Sequence, residues 1–255
     1  MRTNTSRFLI VLMISLVGCA HSKPQDFSDV KPDPAANADV NSMGHDASLT
    51  AFVENPLRWK FVSEVEGIRI YKDVQASPGR IGLRGKTVLN ASIAKVATAL
   101  TETDVRKRWM SGLVETRVLR MLSDYERIEY GKIRAQWPYQ FSDFIYKMTF
   151  SILREPRTLL IRMSQVNDQS VPVPMDTARG EVTNSSNFVR QIDPTHSELV
   201  IEMGLDPKGA LPSWNSQGQV VQWFDDTMIA LKAVVEEPRF KVSDRVQNYI
   251  VAHQL

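Results

Sequence analysis

The chain has 255 residues, with 31 Lys and Arg against 29 Asp and Glu and a single cysteine. This near-neutral balance excludes the strongly basic surface that marks a nucleic-acid-binding domain. A single cysteine excludes a framework of disulfide bonds, so a folded core must supply the stability.

The first eighteen residues have the pattern of an export signal. Arg2 and Arg7 precede a run of ten residues, FLIVLMISLV (8–17), in which only Ser15 is polar. The run is too short to span a bilayer, which takes about 20 residues, and it matches the apolar part of a secretory signal. Removal of residues 1–18 would take away two arginines and no acid and leave 29 charges of each sign.

The only cysteine, Cys19, ends the segment Leu-Val-Gly-Cys directly after this run. The segment resembles a bacterial lipobox, in which the cysteine receives a diacylglyceryl group and becomes the mature N-terminus. An incidental cysteine and a nucleophile are the alternatives, but a nucleophile near a flexible terminus would lack partners. We therefore expect Cys19 to be a lipid anchor. In such lipoproteins a residue other than Asp after the cysteine, here Ala20, implies the periplasmic face of the outer membrane in a Gram-negative cell.

Residues 19–45 predict a flexible tether. They contain Pro24, Pro32 and Pro34 and few large apolar residues, so they cannot bury enough surface to offset the entropy of ordering. No break rich in Pro, Gly or Ser divides the rest of the chain. We therefore expect residues 46–255 to form one folded domain.

Within this domain the hydrophobic pattern alternates with a period of two in most segments and has helical spacing in the others. Turn chemistry separates the segments. The predicted elements are a helix at 48–55, two strands within 59–74 joined at Glu66-Gly67, a strand at 81–89, helices at 93–100 (after the N-cap Ser92) and 104–109, strands at 113–122, 125–135, 143–153, 158–166, 182–192 and 197–205, and helices at 213–236 and 243–252. This order predicts an α+β fold in which about nine antiparallel strands curve around a long C-terminal helix.

Several segments, taken in this order, resemble the START domain, the steroidogenic-acute-regulatory-protein-related lipid-transfer domain. The matching segments are Trp59, Gly67–Tyr71, Arg84-Gly85, Val105–Trp109, Ile128–Tyr130 and Asp206–Trp214. The resemblance covers about residues 50–236. It implies a helix-grip fold with an apolar cavity for one lipid and a C-terminal helix that acts as a lid. The chain departs from the family at Met110, where an acid is common, and at Ser142-Asp143, where Arg-Asp is common, so it leaves the contact to a polar ligand group open.

Apolar side chains on two strands and on the long helix are expected to line the cavity. They are Phe144, Tyr146, Met148, Phe150, Leu199, Ile201, Met203, Trp223, Phe224, Met228 and Leu231. The ten methionines of the chain suit a wall that adapts to more than one shape. A plain filled core is the alternative interpretation of the same pattern.

The sequence predicts no catalytic residue, no metal and no cofactor. The four histidines lack metal-binding spacing, and none of the common nucleophile, phosphate-loop or dinucleotide motifs is present. Asp143, Arg162 and Arg179 could face the cavity, but an isolated charge on a strand is more often at the surface, so we expect them there. The helical pair Asp225 and Asp226 is also expected to face solvent.

The sequence therefore predicts a monomeric, membrane-anchored protein that binds or transfers a lipid or another apolar small molecule and does not bind nucleic acid. Two other classes stay open. One is an enzyme of the wider helix-grip group, a cyclase or hydrolase with a bulky apolar substrate. The other is an envelope interaction protein with a filled core.

Overall fold

A computed structural model describes residues 57–134, 141–153, 157–206, 208 and 216–255, all within one compact unit. The helices of these residues are α1 (Ile93–Thr101), α2 (Thr103–Trp109), α3 (Ser216–Val235) and α4 (Asp244–Ala252). The strands are β1 (Trp59–Val65), β2 (Ile68–Asp73), β3 (Ile81–Leu89), β4 (Leu113–Met121), β5 (Glu126–Arg134), β6 (Phe141–Leu153), β7 (Thr158–Gln165), β8 (Thr177–Arg179), β9 (Glu181–Val182), β10 (Ser185–Asp193) and β11 (His196–Asp206).

The strands form one curved sheet in the order β1-β2-β3-β11-β10-β7-β6-β5-β4. Each neighbouring pair along this path is antiparallel. Two short strands lie off the path: β8 runs parallel to β6, and β9 runs antiparallel to β11. Register shifts interrupt the β1–β2, β4–β5 and β10–β11 pairs, and such bulges increase the local twist. The predicted curved antiparallel sheet with its long C-terminal helix is confirmed.

The first hairpin turns at Glu66 and Gly67, as predicted. Both residues have a positive φ, 51° and 75°, which is the backbone that a two-residue type I′ turn requires. The turn sets the register Val65–Ile68 between β1 and β2. It thereby directs Ile68 and Ile70 into the core, where both are fully buried.

The two short helices, α1 and α2, are in direct contact. Ser92 is the N-cap of α1, as predicted, and its hydroxyl accepts a hydrogen bond from the Lys95 backbone N–H at 3.4 Å. Trp109, the last residue of α2, donates from Nε1 to the Ala99 carbonyl of α1 at 2.9 Å. This bond connects the end of α2 to α1.

The side chains of each strand alternate between the face that contacts α3, here called the inner face, and the outer face. On β6 the inner face carries Phe144, Tyr146, Met148 and Phe150, which belong to the same apolar cluster as residues of α3. The outer face carries two smaller apolar clusters, Leu160 with Phe188 and Val200, and Ile128 with Tyr130 and Ile145. The main core therefore lies between the sheet and α3.

The surface prediction was wrong for Asp143. Its side chain is 0 % exposed on the outer face of β6 and accepts from Arg179 Nε at 2.7 Å. Arg179 also donates to the Val171 carbonyl at 3.1 Å, so the segment before β8 covers the carboxylate. Arg162 is half-buried on the same face.

The predicted strand ends agree with the structure to within three residues. The sequence predictions for 1–18, Cys19, 19–45 and the helix at 48–55 lie outside the described residues, as does the predicted start of the long helix at 213. No helix in the described ranges is long and apolar enough to cross a bilayer.

Candidate functional site

The eleven side chains that the sequence predicts to line a cavity come together in one apolar cluster on the inner face and α3. Met203 and Trp223 are partly buried there. The other nine are buried: Phe144, Tyr146, Met148, Phe150, Leu199, Ile201, Phe224, Met228 and Leu231. Burial of this kind is common to a filled core and to an occupied pocket. The role of these residues as a cavity lining therefore stays a prediction.

Gly85 of β3 allows α3 to approach the sheet. A Cβ atom at this position would lie 2.9 Å from Met228 Cε and 3.1 Å from Phe224 Cε1. Any other residue would require these two side chains to shift. Gly85, part of the Arg84-Gly85 match found in the sequence, therefore leaves room for the side chains of Met228 and Phe224.

Hydrogen bonds attach α3 to the structure on two sides. Trp223 donates from Nε1 to the Ser111 carbonyl at 2.7 Å, in the connection between α2 and β4. Lys232 donates from Nζ to the Glu66 carbonyl at 2.9 Å, in the β1–β2 turn. The helix therefore bridges the first hairpin and the end of α2.

Only one residue of the acidic pair of α3 is fully exposed. The surface prediction was wrong for Asp225. Asp226 is exposed, but Asp225 is half-buried and accepts from Ser63 Oγ of β1 at 3.5 Å. Burial raises the pKa of the Asp225 carboxyl above its usual value. This contact is a third attachment of α3, on the β1 side.

A charged cluster lies on the inner face of β5 and β6, among otherwise apolar side chains. It consists of Arg106 of α2, Arg127 and Glu129 of β5, and Tyr146 of β6. Glu129 forms ion pairs with both arginines, and its side chain is 0 % exposed. The Tyr146 hydroxyl accepts from Arg106 Nη1 at 2.7 Å and donates to Glu129 Oε2 at 3.0 Å. Arg127 also donates to the Thr101 carbonyl at the end of α1.

The cluster carries one net positive charge, because two guanidinium groups face one carboxylate. Burial opposes ionisation of Glu129, but the charges of Arg106 and Arg127 outweigh it and hold the pKa of this carboxyl below its usual value. Burial raises the pKa of Tyr146 to about 12, so its hydroxyl stays neutral at physiological pH. Both arginines remain protonated.

Two polar atoms in this interior have no hydrogen-bond partner among the described residues. They are Arg106 Nε and Thr227 Oγ1 of α3, and both belong to side chains that are 4 % exposed. Buried polar groups are nearly always paired, so an unpaired one needs an explanation. Both atoms lie on side chains of the elements that enclose the apolar cluster.

These groups suit binding better than proton transfer. A general base works best when its pKa lies near the operating pH, whereas Glu129 is held ionised by three partners and Tyr146 is held neutral. In the described ranges no group of three or more His, Cys, Asp or Glu side chains is placed to hold a metal ion. The arrangement offers fixed hydrogen-bond donors among apolar side chains.

The sequence interpretation did not identify this cluster. Its members come from three elements, and only in β5 do two of them lie on the same segment. Arg127 and Glu129 alternate there with the apolar Ile128 and Tyr130. Alternation of this kind normally places the charged residues outside, whereas in β5 they face inward.

Solved structures share this architecture. The crystal structure of human STARD10 superposes with a TM-score of 0.64 at 15 % identity, over 93 % of this chain and 86 % of that chain. The STAR-related lipid transfer protein of Xanthomonas axonopodis (fragment 25–204) gives a TM-score of 0.61 at 21 % identity, over 71 % of this chain and 99 % of that chain. These similarities show the START helix-grip fold.

Sequence comparison gives a weaker result. No family model matches the chain. An uncharacterized protein of Pseudomonas aeruginosa is 21 % identical over 180 residues, which is 70 % of this chain and 87 % of that protein. The similarity to START domains therefore rests on the fold.

Proposed function

We propose that the protein binds one lipid between its sheet and α3 and carries it at a membrane of the cell envelope. The observation that carries this proposal is the charged cluster buried in an otherwise apolar interior. A buried ion pair is often no more stabilising than well-packed apolar side chains, so packing alone does not call for Arg106, Arg127 and Glu129 at this place. An amphipathic ligand, in contrast, needs a few fixed polar groups inside an apolar site.

The cluster favours a ligand whose polar end has oxygen acceptors, such as a carboxylate or a phosphate. The net positive charge attracts an anionic group. Arg106 Nε and Thr227 Oγ1, the two unpaired polar atoms, would each gain a partner from a ligand oxygen. The polar end of the lipid would therefore lie between α2, α3 and β5.

The apolar part of the lipid would occupy the space that the inner-face side chains now fill. Met148 and Met228 are buried there and Met203 is partly buried. A methionine side chain is unbranched and can adopt several shapes, so these three are the side chains that a lipid would displace at the lowest cost.

The names of similar proteins agree with this proposal. The Xanthomonas axonopodis protein is named a STAR-related lipid transfer protein, and so is human StAR-related lipid transfer protein 5, which superposes with a TM-score of 0.63 at 18 % identity, over 84 % of this chain and 98 % of that chain. Lipid binding within the shared fold is the property that we carry over to this chain.

The location of the protein is part of the proposal. Residues 1–18 would direct export, a lipid on Cys19 would hold the chain at the periplasmic face of the outer membrane, and residues 19–45 would tether the domain 46–255. Replacement of Cys19 by Ser should abolish fatty-acid labelling and release the protein from membranes or leave it unprocessed. Unchanged labelling in this variant would disprove the anchor.

The binding proposal is tested by transfer between vesicles. Donor vesicles carry a fluorescent fatty acid and a quencher, and the full chain with Cys19→Ser is added together with acceptor vesicles. We expect the rate of transfer to rise in proportion to protein concentration. A rate that equals the spontaneous rate at every concentration would contradict the proposal.

A further inference from the structure

Helix α4 packs against the same interior as α3, at one end of the sheet. Its residues Val246, Tyr249 and Ile250 are 0 %, 4 % and 5 % exposed and belong to the main apolar cluster. The sequence resemblance to START domains ends near residue 236, so it assigns no role to this helix. Its burial shows that α4 is an integral part of the main core.

Tyr249 is the aromatic residue on the buried face of α4. Its ring lies edge to face against Phe150, with 5.4 Å between centroids and 88° between planes, and against Tyr125, at 4.4 Å and 64°. His253 stacks on it at 4.1 Å. Phe150 is one of the residues predicted to contact the ligand, so the tyrosine ring lies directly behind the predicted lining.

Polar contacts hold α4 in this position. Arg245 pairs with Glu102, between α1 and α2, at 2.9 Å, and donates to the Asp124 carbonyl in the β4–β5 turn at 3.3 Å. Arg157, next to β7, donates to the His253 carbonyl at 2.7 Å. These contacts attach α4 to the connection between α1 and α2, to the β4–β5 turn and to the start of β7. The helix thus covers this end of the sheet.

The two ends of β6 differ. Near Phe150 the strand is covered by α4, whose Tyr249 ring contacts the Phe150 ring. Near Phe144 it packs against the short strands β8 and β9, where a Cβ on Gly180 would lie 2.3 Å from the phenylalanine ring. A helix therefore covers β6 at one end, and two short strands cover it at the other.

We propose that α4 closes the far end of the lipid site and that the ring of Tyr249 sets the longest apolar chain that the site accepts; this rests on the lipid-binding function proposed above. From Tyr146, the member of the charged cluster that contacts Arg106, to Phe150 is four residues of β6, or about 13 Å, and Arg127 lies beside Met148 between them. A chain that extends from the cluster towards α4 meets the wall of Phe150 and Tyr249 at that distance. Removal of the tyrosine ring extends the space beyond it.

The test is a chain-length profile. The full chain with Cys19→Ser is loaded with a fluorescent fatty acid, which is displaced by straight-chain fatty acids of increasing length. Affinity should rise by about fourfold for each added methylene that is buried and stop rising at one length. Tyr249→Ala should move this limit to longer chains, whereas Tyr249→Phe, which keeps the ring, should leave it in place.

Thermal unfolding of each variant checks that the fold persists. If Tyr249→Ala does not unfold cooperatively, Tyr249→Leu, which keeps an apolar contact, should shift the limit in the same direction by a smaller step. An unchanged limit in the folded variants would overturn the role of Tyr249 and leave lipid binding intact. If the parent chain binds no fatty acid of any length and contains no extractable lipid, the proposed function fails and this inference fails with it.

Discussion

Arg106 of α2 and Glu129 of β5 form an ion pair whose side chains are 4 % and 0 % exposed. The pair joins α2 to the inner face of the sheet. Arg127 and Tyr146 each donate a further hydrogen bond to the Glu129 carboxylate. The Glu129 carboxylate is the counter-ion of two buried guanidinium groups. The stability of the whole cluster therefore depends on its negative charge.

Glu129→Gln should therefore destabilise the fold strongly. The amide keeps the shape of the side chain but leaves two buried positive charges without a counter-ion, which typically costs about 3–5 kcal/mol. Urea unfolding measures the loss. The matched control is Glu115→Gln on β4, which removes an ion pair with Arg117 whose side chains are 48 % and 54 % exposed and should cost at most about 1 kcal/mol. Equal losses in the two variants would contradict the buried role of Glu129.

The stability that Glu129 contributes should depend on pH in one direction. Its pKa is lower in the folded than in the unfolded chain, so the contribution is complete above the unfolded value of about 4.3 and is lost as the pH falls through the folded value. The difference in unfolding free energy between the parent chain and Glu129→Gln should thus be largest near neutral pH and shrink in acid. A difference that stays constant down to about pH 2 would refute this assignment.

Thr227→Val should separate ligand binding from stability. Thr227 Oγ1 has no partner among the described residues, so valine, which has the same shape, should leave the fold as stable or make it more stable. If the hydroxyl contacts the lipid head, its loss should weaken binding by about three- to tenfold. Thr227→Ser keeps the hydroxyl and serves as the control. Identical affinities in all three proteins would mean that Thr227 does not reach the ligand.

A cross-link between α3 and β1 should slow lipid exchange. Ser63 Oγ and Asp225 Oδ1 are 3.5 Å apart, so Ser63→Cys with Asp225→Cys places two thiols across this contact in a chain whose Cys19 is replaced. Because α3 is held by side chains, whereas each strand is held by backbone hydrogen bonds, the helix is the part that can tilt at lower cost. Oxidation should reduce the exchange rate at least tenfold, and reduction should restore it. If the oxidised and reduced forms exchange equally fast, the gate is elsewhere, with the segment 171–179 as the next candidate.

Much of the fold could be predicted because short sequence patterns, such as strand alternation and turn residues, determine it. The alternation on β6 placed Phe144 and Phe150 on the inner face, and the chemistry of Glu66-Gly67 predicted the first turn. Strand β8 escaped notice because three residues are too few to show a period.

The charged cluster escaped notice for a different reason. Arg106 and Glu129 become neighbours only when α2 folds against the sheet. A charge next to an apolar residue on a strand is normally read as exposed, and the local pattern of β5 carries no information about the counter-ion that makes burial possible. The same limit explains the wrong prediction for Asp143, which is buried by its pairing with Arg179.

The central claim is that the interior holds one lipid, and native mass spectrometry of the full chain with Cys19→Ser, purified without detergent from lipid-rich cells, tests it most directly. We predict about one lipid bound per chain, with a carboxylate or phosphate at its polar end, which organic extraction would identify. A protein that carries no lipid in repeated preparations, and takes up none from vesicles, would show that the side chains between the sheet and α3 form a filled core.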